Sequence, residues 1–414
     1  MSSAESKVQG PRSKVTTAKP ASKTLDFGRG TLDGIYMDNA ATSFPKPEAV
    51  EKAMLHYHRQ IGASAGRGAY PRAAAAGKLL SETRQLLGQL FNVRKTDQII
   101  FTANASDALN LAIKGFEWHS GDSIVTTMME HNSVLRPLHA LRERFGIKVN
   151  KVKVSPEGIV DPIDVAKAID AHTQLIAVVH ASNVSGSLQP VAEIGDIARR
   201  KGIPFLVDAA QSAGAFPIDV EAMKIDLLAF PGHKALLGPL GTGGLYIREG
   251  LELETLKEGG TGSQSELETQ PEFLPDRYEA GSHNALGIAG WKAGLEFVLR
   301  EGVAAIRAKE EHLTSLFLQG ARGISNLKIY GPNHAAHQVA VVSVRLGDIE
   351  PAELSYRLFE RGGLMTRSGL HCAPGAHQSL GTYPNGTTRF SLGYFNTPED
   401  VNHALAVLSA LASQ

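Results

Sequence analysis

The chain of 414 residues has a single cysteine, Cys372, so an intramolecular disulfide is excluded. One cysteine in a chain of this length fits a reducing compartment, and we expect a cytoplasmic protein. An excess of charge is also missing, because 42 basic residues balance 42 acidic ones. We therefore expect neither nucleic acid nor an anionic membrane as a partner.

Long apolar runs are absent as well. The longest, such as Leu175–Val179, have the length of a strand and are too short to cross a membrane, and we expect no secretory signal. Residues 1–24 almost lack apolar side chains and are rich in Ser, Thr, Lys and Pro. This composition predicts a disordered tail over residues 1–30. The tail is basic like a transit peptide but has no amphipathic apolar face, so targeting is the less favoured interpretation.

Short β-rich runs alternate with helical segments through the middle of the chain. Helices such as Ser106–Gly115 and Val191–Lys201 separate most of the runs, which predicts an α/β fold with a mainly parallel sheet covered on both faces. The last run follows a short Gly-rich turn and could be antiparallel. The seven predicted strands are Gln98–Phe101, Ser123–Thr127, Lys148–Val154, Gln174–His180, Pro204–Asp208, Asp226–Phe230 and Gly243–Ile247.

After Gly250 the pattern becomes that of a smaller α+β domain. Glu258–Pro275 is a long polar loop, a kind that is usually functional or mobile. We expect an N-terminal segment at residues 31–47 that packs with the small domain, a large domain at residues 48–290 and the small domain at residues 291–414. The other predicted elements are helices Glu48–Ile61, Arg72–Leu90, Asn284–Arg300, Glu310–Gln319, Pro351–Arg361 and Pro398–Ala412, and strands Gln338–Arg345 and Thr388–Leu392.

Two polar residues follow successive predicted strands: Asp208 closes one, and Lys234 comes just after the next. Open α/β sheets place ligand chemistry at the carboxyl ends of their strands. Pyridoxal phosphate needs both groups, a lysine amine for its aldehyde and a carboxylate that keeps its ring nitrogen protonated. On the other hand, most lysines are solvated surface charges, and an acid at a strand end is often a helix N-cap.

Several further residues could hydrogen-bond such a cofactor. Gln211 could reach the phenolic oxygen of the ring. The turn Asn104–Asp107 lies between a strand and a helix, where backbone N–H groups and the Ser106 hydroxyl make an anion site. Taken alone, N-capping by Ser106 is the commoner explanation of that turn. His233 and Ser282 are further donors for a phosphate.

The remaining candidates could contact the cofactor or a substrate. The imidazole of His131 could stack on a planar ring and shuttle protons, and Asn183 could bind cofactor or substrate, or satisfy a turn. Cys372 lies close to Arg367, and positive neighbours lower the pKa of a thiol. Arg389 could clamp a carboxylate bidentately. Taken alone, Cys372 is more simply explained as an inert buried cysteine, and each arginine as a solvated surface charge.

Together these residues make the chain resemble the class V aminotransferase family and, within it, the cysteine desulfurases with a short catalytic-cysteine segment, the Suf-like group. The resemblance covers nearly everything after residue 34. It implies the pyridoxal-phosphate fold type I, with a seven-stranded large domain, a small domain and an obligate homodimer. The blocks that carry it are YMDNAATSFPKPEAV, FTANASDALNLA, EHNSVLRPL, HASNVSG, VDAAQSAG, FPGHKALLGPLGTGG, YEAGSHN, RSGLHCAP and RFSLGYFNT.

The resemblance implies a role for each matching residue. Lys234 would bind the aldehyde of the cofactor and act as the catalytic base, and Asp208 would pair with the ring nitrogen. Gln211 would contact the ring oxygen, and His131 would stack on the ring. The phosphate would be held by Ala105, Ser106 and His233, and across the dimer by Ser282 of the partner subunit.

On the substrate side, Asn183 and Arg389 would bind the carboxylate, Cys372 would be the nucleophile, and Arg367 matches the arginine ahead of it. No metal ion is expected. The chain departs from the family pattern at Pro231, where a Ser or Thr hydroxyl usually helps to bind phosphate, so one donor is missing. Ser282 replaces the commoner Thr but keeps the hydroxyl.

The expected reaction converts L-cysteine to L-alanine and leaves the sulfur on Cys372 as a persulfide. Selenocysteine lyase or cysteine sulfinate desulfinase activity at the same site remains open, because a better leaving atom would need the thiol less. So do an aminotransferase, a racemase and a cofactor-binding protein that no longer turns over. A sulfur-acceptor protein is expected, but the sequence does not distinguish an iron–sulfur scaffold from a sulfur carrier or a thiolation enzyme.

Overall fold

The structure, a computed structural model, describes residues 34–66 and 68–414, so the predicted tail over residues 1–30 lies outside it. The strands are β1 Ile35–Tyr36, β2 Ile99–Thr102, β3 Ser123–Thr127, β4 Lys148–Val152, β5 Thr173–Val179, β6 Phe205–Asp208, β7 Leu227–Pro231, β8 Gly243–Ile247, β9 Leu327–Tyr330, β10 Val341–Leu346, β11 Leu364–Met365, β12 Arg367–Gly369 and β13 Thr387–Ser391. The α-helices are α1 Glu48–His56, α2 Pro71–Phe91, α3 Ala105–Lys114, α4 Asn132–Phe145, α5 Pro162–Ala168, α6 Val191–Lys201, α7 Ala285–Glu301, α8 Val303–Ala321, α9 Pro351–Gly362, α10 Pro374–Ser379 and α11 Pro398–Ala412.

Seven strands form one sheet in the order β2-β8-β7-β6-β5-β3-β4. The neighbouring pairs β7–β6, β6–β5, β5–β3 and β3–β4 are parallel. Strand β8 runs antiparallel to both of its neighbours, β7 and β2. The predicted mainly parallel sheet and its antiparallel strand Gly243–Ile247 are therefore confirmed. The chain passes from β3 outward to β4 and then returns to β5 on the other side of β3. This reversal creates the switch point at which open α/β sheets bind ligands.

Alternate residues of the central strands face two different apolar layers. On β5, Ile176 and Val178 pack with α2, α6 and α7, whereas Leu175 and Ala177 pack with α3 and α4. All four side chains are buried, and each large one contributes about 1.5–3 kcal/mol by leaving water. The two layers hold the sheet rigid, so the loops at the carboxyl ends of its strands have a fixed base.

A second, antiparallel sheet has the order β12-β13-β10-β9, and α8, α9 and α11 pack on it through a separate apolar cluster. The short strand β1 pairs in parallel with β11, which brings the segment after Gly34 to this sheet. Helix α7 runs without a break through the expected domain boundary at residue 290. The domain boundaries stay a prediction.

Most predicted elements lie within a few residues of the observed ones. Helix α8 is the main exception, because it begins at Val303 and not at Glu310. Its first two turns bury Arg307 and Glu310, and these charged side chains hid the apolar stripe from the sequence pattern. The predicted helix Glu48–Ile61 is observed as α1 followed by a π-helical turn at Tyr57–Ile61.

Within the described ranges, none of the helices is both long and apolar enough to cross a bilayer.

Candidate active site

A cavity lies at the carboxyl ends of β5, β6 and β7, beside the first turns of α3 and α4, and we call it the central cavity. It occupies the switch point of the large sheet, where ligand sites of open α/β folds occur. Most of the site residues predicted from the sequence line it. They are Ala105, Ser106, His131, Asn183, Asp208, Gln211, His233 and Lys234.

Lys234 stands on a tight turn directly after β7. The N–H of Leu237 donates to the carbonyl of Lys234 at 2.8 Å, and the N–H of Gly238 donates to the carbonyl of Gly232 at 2.7 Å. Gly238 has to be glycine, since a Cβ there would lie 2.6 Å from Cδ1 of the buried Trp291. The glycine-rich stretch after Lys234 therefore lets this turn lie against α7 and fixes the base from which the amine extends.

Lys234 and Asp208 influence each other's ionisation. Burial lowers the pKa of the Lys234 amine to about 8, and the positive charges of Arg389 and Arg367 act in the same direction, while Asp208 opposes them. Burial raises the pKa of Asp208, which is only 2% exposed, whereas the N–H of Ala210 at 2.9 Å and the charge of Lys234 favour its ionised form. The amine is consequently a better base and nucleophile near neutral pH than an ordinary lysine.

His131 is the N-cap of α4, and its tautomer follows from its contacts. Nδ1 accepts the backbone N–H of Ser133 at 3.1 Å, so the proton of the neutral ring is on Nε2. Burial lowers the pKa of His131 to about 4, helped by nearby positive charges that include Lys234. The ring is therefore uncharged at neutral pH and can present a flat face to another aromatic ring. The Ser133 hydroxyl lies 2.9 Å from Nδ1 and 2.6 Å from the Ser106 hydroxyl.

The first turn of α3 is built as an anion site. Asn104 is the N-cap, and its side chain accepts the N–H of Asp107 at 2.9 Å. The N–H groups of Ala105 and Ser106 precede the first intrahelical bond and have no partner among the described residues. The alternative interpretation of Ser106 as the N-cap is therefore wrong, and its hydroxyl is available to a ligand. Gly243 allows this turn to lie against β8, because a Cβ there would lie 2.8 Å from Cα of Asn104.

These donors fit the two ends of pyridoxal phosphate. At the anion end, Nδ1 of His233 is buried and has no hydrogen-bond partner in the part of the chain that the structure describes. At the ring end, Gln211 donates one amide N–H to the carbonyl of Ala40 at 2.9 Å and keeps its second N–H for another acceptor. Asp208 and Lys234 complete that end: the carboxylate suits a protonated pyridine nitrogen, and the amine suits an aldehyde.

Some residues that build the site could not be identified from the sequence. The carbonyl of His233 accepts the Thr42 hydroxyl at 3.0 Å, the Ser43 N–H at 3.1 Å and the Lys46 amine at 3.1 Å. These bonds tie the segment after β1 to the turn that carries Lys234. Ser133 was also missed, although it follows His131 closely in the block EHNSVLRPL.

Arg389 lies next to the cavity on β13 and is only 2% exposed. One terminal nitrogen donates to the Asp38 carboxylate at 2.6 Å, and the other donates to the backbone carbonyl of Asn183 at 3.0 Å. Its Nε is buried without a partner among the described residues. The guanidinium is thus held in one orientation and keeps unused N–H groups, as a carboxylate clamp requires.

Cys372 lies on an exposed turn, so the alternative of an inert buried cysteine is wrong. His371 and Cys372 both adopt left-handed backbone conformations, with φ of 46° and 59°, which cost non-glycine residues about 1–3 kcal/mol each. Two hydrogen bonds hold the turn: the Asn183 side chain donates to the carbonyl of His371 at 2.6 Å, and the N–H of Asn132 donates to the carbonyl of Cys372 at 2.7 Å. The turn that carries the thiol is therefore anchored to Asn183 and to the first turn of α4.

The last two predicted residues have different environments. Arg367 is exposed on β12 and pairs in register with Arg389, and its charge acts on Lys234 and His131. Ser282 does not line the central cavity. It lies with Tyr57 and His283 in a separate surface cavity, and its expected contact with a phosphate in the partner subunit stays a prediction.

Comparisons with known proteins show the family to which the chain belongs. The model of the family described as Aminotransferase class-V matches residues 35–403. A probable cysteine desulfurase of Methanothermobacter thermautotrophicus is 37% identical over 375 residues, which are 89% of this chain and 92% of the relative. The apo structure of a cysteine desulfurase from Thermococcus onnurineus matches with a TM-score of 0.87 and 35% identity over 92% of this chain and 95% of that one.

A further solved structure, a cysteine desulfurase from Escherichia coli in its S-sulfonic acid form, matches with a TM-score of 0.83 and 25% identity over 92% of this chain and 95% of that one. These likenesses confirm the predicted fold class, fold type I, and the predicted resemblance to cysteine desulfurases.

Proposed function

Because the chain belongs to the class-V aminotransferase family, we propose that it is a pyridoxal-phosphate-dependent cysteine desulfurase, which converts L-cysteine to L-alanine and takes up the sulfur on Cys372. The proposal depends above all on one arrangement: Lys234 and Asp208 line a single cavity, and the turn with the exposed thiol is hydrogen-bonded to residues at the edge of that cavity. The similarity to proteins named cysteine desulfurases supports the same reaction.

The residues of the cavity would hold the cofactor at both ends. Pyridoxal phosphate, when bound, withdraws electrons from the α-carbon of an amino acid. Asp208 would face the ring nitrogen and keep it protonated, since a buried carboxylate stabilises a neighbouring positive charge. His131 would stack on the ring in its neutral form, and Ala105, Ser106 and His233 would donate to the phosphate.

The substrate would be oriented through its carboxylate. Arg389 would donate to it, because a buried guanidinium with unused N–H groups binds a carboxylate strongly. Asn183 lines the cavity next to Arg389 and would complete the contact. The Nζ of Lys234, with its pKa lowered to about 8, would then take the α-proton of the substrate.

Sulfur transfer follows from the position of the thiol. The thiolate of Cys372 attacks the sulfur of the substrate, so an S–S bond forms while the C–S bond breaks, and the electron pair of that bond stays with carbon. That carbon takes up a proton, which balances the one lost by the Cys372 thiol, and return of the α-proton from Lys234 to the α-carbon completes alanine.

We also propose a homodimer in the cytoplasm that passes its sulfur to an acceptor protein, as in iron–sulfur cluster assembly. Apolar side chains support the dimer: Leu240 is 68% exposed and Leu286 is 37% exposed, and Leu286 lies in the surface cavity that contains Ser282. The Asn284 side chain donates to the carbonyl of Gly241 at 2.9 Å, which brings the segments that carry the two leucines together, and exposed apolar groups at one place mark an interaction surface. Sedimentation of the purified protein tests the dimer, and a monomer at micromolar concentration contradicts it.

The experiment that tests the reaction uses purified protein loaded with pyridoxal phosphate and supplied with L-cysteine. We expect alanine and sulfide in the presence of a reductant, and a mass increase of one sulfur atom on the peptide that contains Cys372. A keto acid from the substrate would indicate an aminotransferase, and a D-amino acid would indicate a racemase. Bound cofactor without turnover would indicate a non-catalytic protein, so each of these results contradicts the proposal.

A further inference from the structure

Ser133 makes contacts for which the reaction described above gives no reason. Its hydroxyl lies 2.6 Å from the Ser106 hydroxyl and lines the central cavity together with Pro231 and His233. It belongs to the first turn of α4, whereas Ser106 belongs to the first turn of α3. The cavity therefore has two helix N-termini on one wall, each with a serine hydroxyl, and the two hydroxyls touch.

The Ser133 hydroxyl is not needed by His131. Nδ1 of a neutral imidazole has one lone pair, and the backbone N–H of Ser133 already donates to it at 3.1 Å. The hydroxyl at 2.9 Å competes for the same lone pair. It can therefore turn toward another acceptor while His131 keeps its hydrogen bond and its tautomer.

Within the pair of serines, one hydroxyl can donate to the other, and the second then has a free proton. Both hydroxyls can instead turn toward an anion placed against them, which would then receive two O–H donors in addition to the free N–H groups of Ala105 and Ser106. Pro231, which also lines the cavity, has neither an N–H nor a hydroxyl and offers such an anion no donor.

We propose that Ser133 is a further ligand of the phosphate of pyridoxal phosphate and that its hydroxyl supplies a donor in place of the one that Pro231 lacks. This inference rests on the proposed function only in that the chain binds this cofactor. It concerns the phosphate end, so it is independent of sulfur chemistry. A serine that only oriented His131 would act on the ring of the cofactor and not on its phosphate.

The test compares two ligands that differ in the phosphate alone. Apoprotein is titrated with pyridoxal phosphate and with pyridoxal, and each dissociation constant is read from the change in absorbance. For Ser133→Ala we expect roughly ten- to hundredfold weaker binding of pyridoxal phosphate, the effect of losing a hydrogen bond to a charged group. Binding of pyridoxal should change less than about twofold, and Ser133→Thr, which keeps the hydroxyl, should stay close to the wild type.

The outcomes separate the explanations. Equal weakening of both ligands would overturn the proposal, because it would assign Ser133 to the orientation of His131. An unchanged dissociation constant for pyridoxal phosphate would overturn it as well. Wild-type protein that binds neither ligand would overturn the proposed function itself, and because no cysteine is added, failure of the desulfurase reaction cannot produce these results. Circular dichroism of each variant checks that α4 remains folded.

A rescue experiment tests the relation to Pro231. In the Ser133→Ala background, Pro231→Ser provides a new hydroxyl in the lining of the same cavity and should recover much of the lost affinity for pyridoxal phosphate. Pro231→Ala is the matched control, because it frees the backbone in the same way without a hydroxyl. Recovery with Ser but not with Ala supports the proposal. Equal recovery with both, or no recovery with Ser, would overturn the link between the two positions.

Discussion

The backbone N–H of Asn132 donates a 2.7 Å hydrogen bond to the carbonyl of Cys372. This bond joins the first turn of α4, which carries His131 and Ser133, to the turn that carries the thiol. The two turns are about 240 residues apart in the sequence, and His131 and Ser133 of the first one line the central cavity. The bond thereby ties the exposed turn that carries the nucleophile to an element of the cavity.

Replacement of Cys372 by Ser should abolish both alanine release and the persulfide. Oxygen is a far weaker nucleophile toward sulfur than a thiolate, while the side chains that line the cavity are untouched. The visible absorbance of the bound cofactor should therefore remain that of the wild type. Alanine release at more than about one tenth of the wild-type rate would contradict the role of the thiol.

Cys372→Ala on three substrates tests the remaining alternatives, selenocysteine lyase and cysteine sulfinate desulfinase. If the chain is a selenocysteine lyase, the variant should still turn over selenocysteine while it loses cysteine turnover. If it is a cysteine desulfurase, the wild-type protein should turn over cysteine faster than the other substrates, and this turnover should require the Cys372 thiol. Rates of alanine formation from cysteine, selenocysteine and cysteine sulfinate give the comparison.

The sequence was sufficient for the parts of the site that depend on one strand and its end. β3 and β8 have the predicted bounds, because each is a β-rich run between turn residues. Lys234 and Asp208 follow directly from such runs. The sequence could not show that Lys46 bonds to the carbonyl of His233, 187 residues away, or that Ser133 touches Ser106. Those contacts depend on how the sheet brings separate loops together, and no local periodicity encodes them.

Arg389→Lys should weaken the binding of L-cysteine by roughly ten- to hundredfold, since a lysine keeps the charge but cannot reproduce the fixed, forked donors. Cysteamine has the same thiol and amine but no carboxylate, so its binding should change little. The change in cofactor absorbance on titration with each ligand provides both dissociation constants. Equal losses for both ligands would show that the substitution disturbs the cavity as a whole and not the carboxylate contact.

Lys234 should react as a free amine at an unusually low pH. Burial brings its pKa down to about 8 from 10.5, so half of the amine is unprotonated near pH 8 in the apoprotein. Acylation with a limiting amine reagent, followed by mass spectrometry of the peptide with Lys234, gives the midpoint. Asp208→Asn should move the midpoint to lower pH, because it removes the negative charge that favours the protonated amine. A wild-type midpoint near 10 would contradict the environment described.

Glu130 should make the stability of the protein depend on pH in the direction opposite to that of most carboxylates. Its side chain is fully buried. One carboxylate oxygen accepts the Thr127 hydroxyl at 2.7 Å and the Val179 N–H at 3.2 Å. The other oxygen has no hydrogen-bond partner in the described ranges. Burial raises its pKa to about 8, and the charge of Asp208 adds to the shift. The folded protein therefore keeps this proton where the unfolded chain has already lost it.

The sign of the effect follows from proton binding. Between pH 4.5 and about 8 the folded state holds the proton of Glu130 and the unfolded state does not. The contribution of Glu130 to the free energy of unfolding is therefore complete below pH 4.5. It decreases as the pH rises toward 8, by up to about 1.4 kcal/mol per pH unit. Glu130→Gln has nearly the shape of the protonated acid but cannot ionise. Its thermal unfolding midpoint should equal that of the wild type near pH 4 and exceed it increasingly toward pH 8. Glu360→Gln, at an exposed position of α9, is the matched control and should leave the curve of the wild type unchanged. A Glu130→Gln midpoint that stays below the wild type at pH 8 would mean that Glu130 is ionised in the folded protein and has a partner that stabilises its charge.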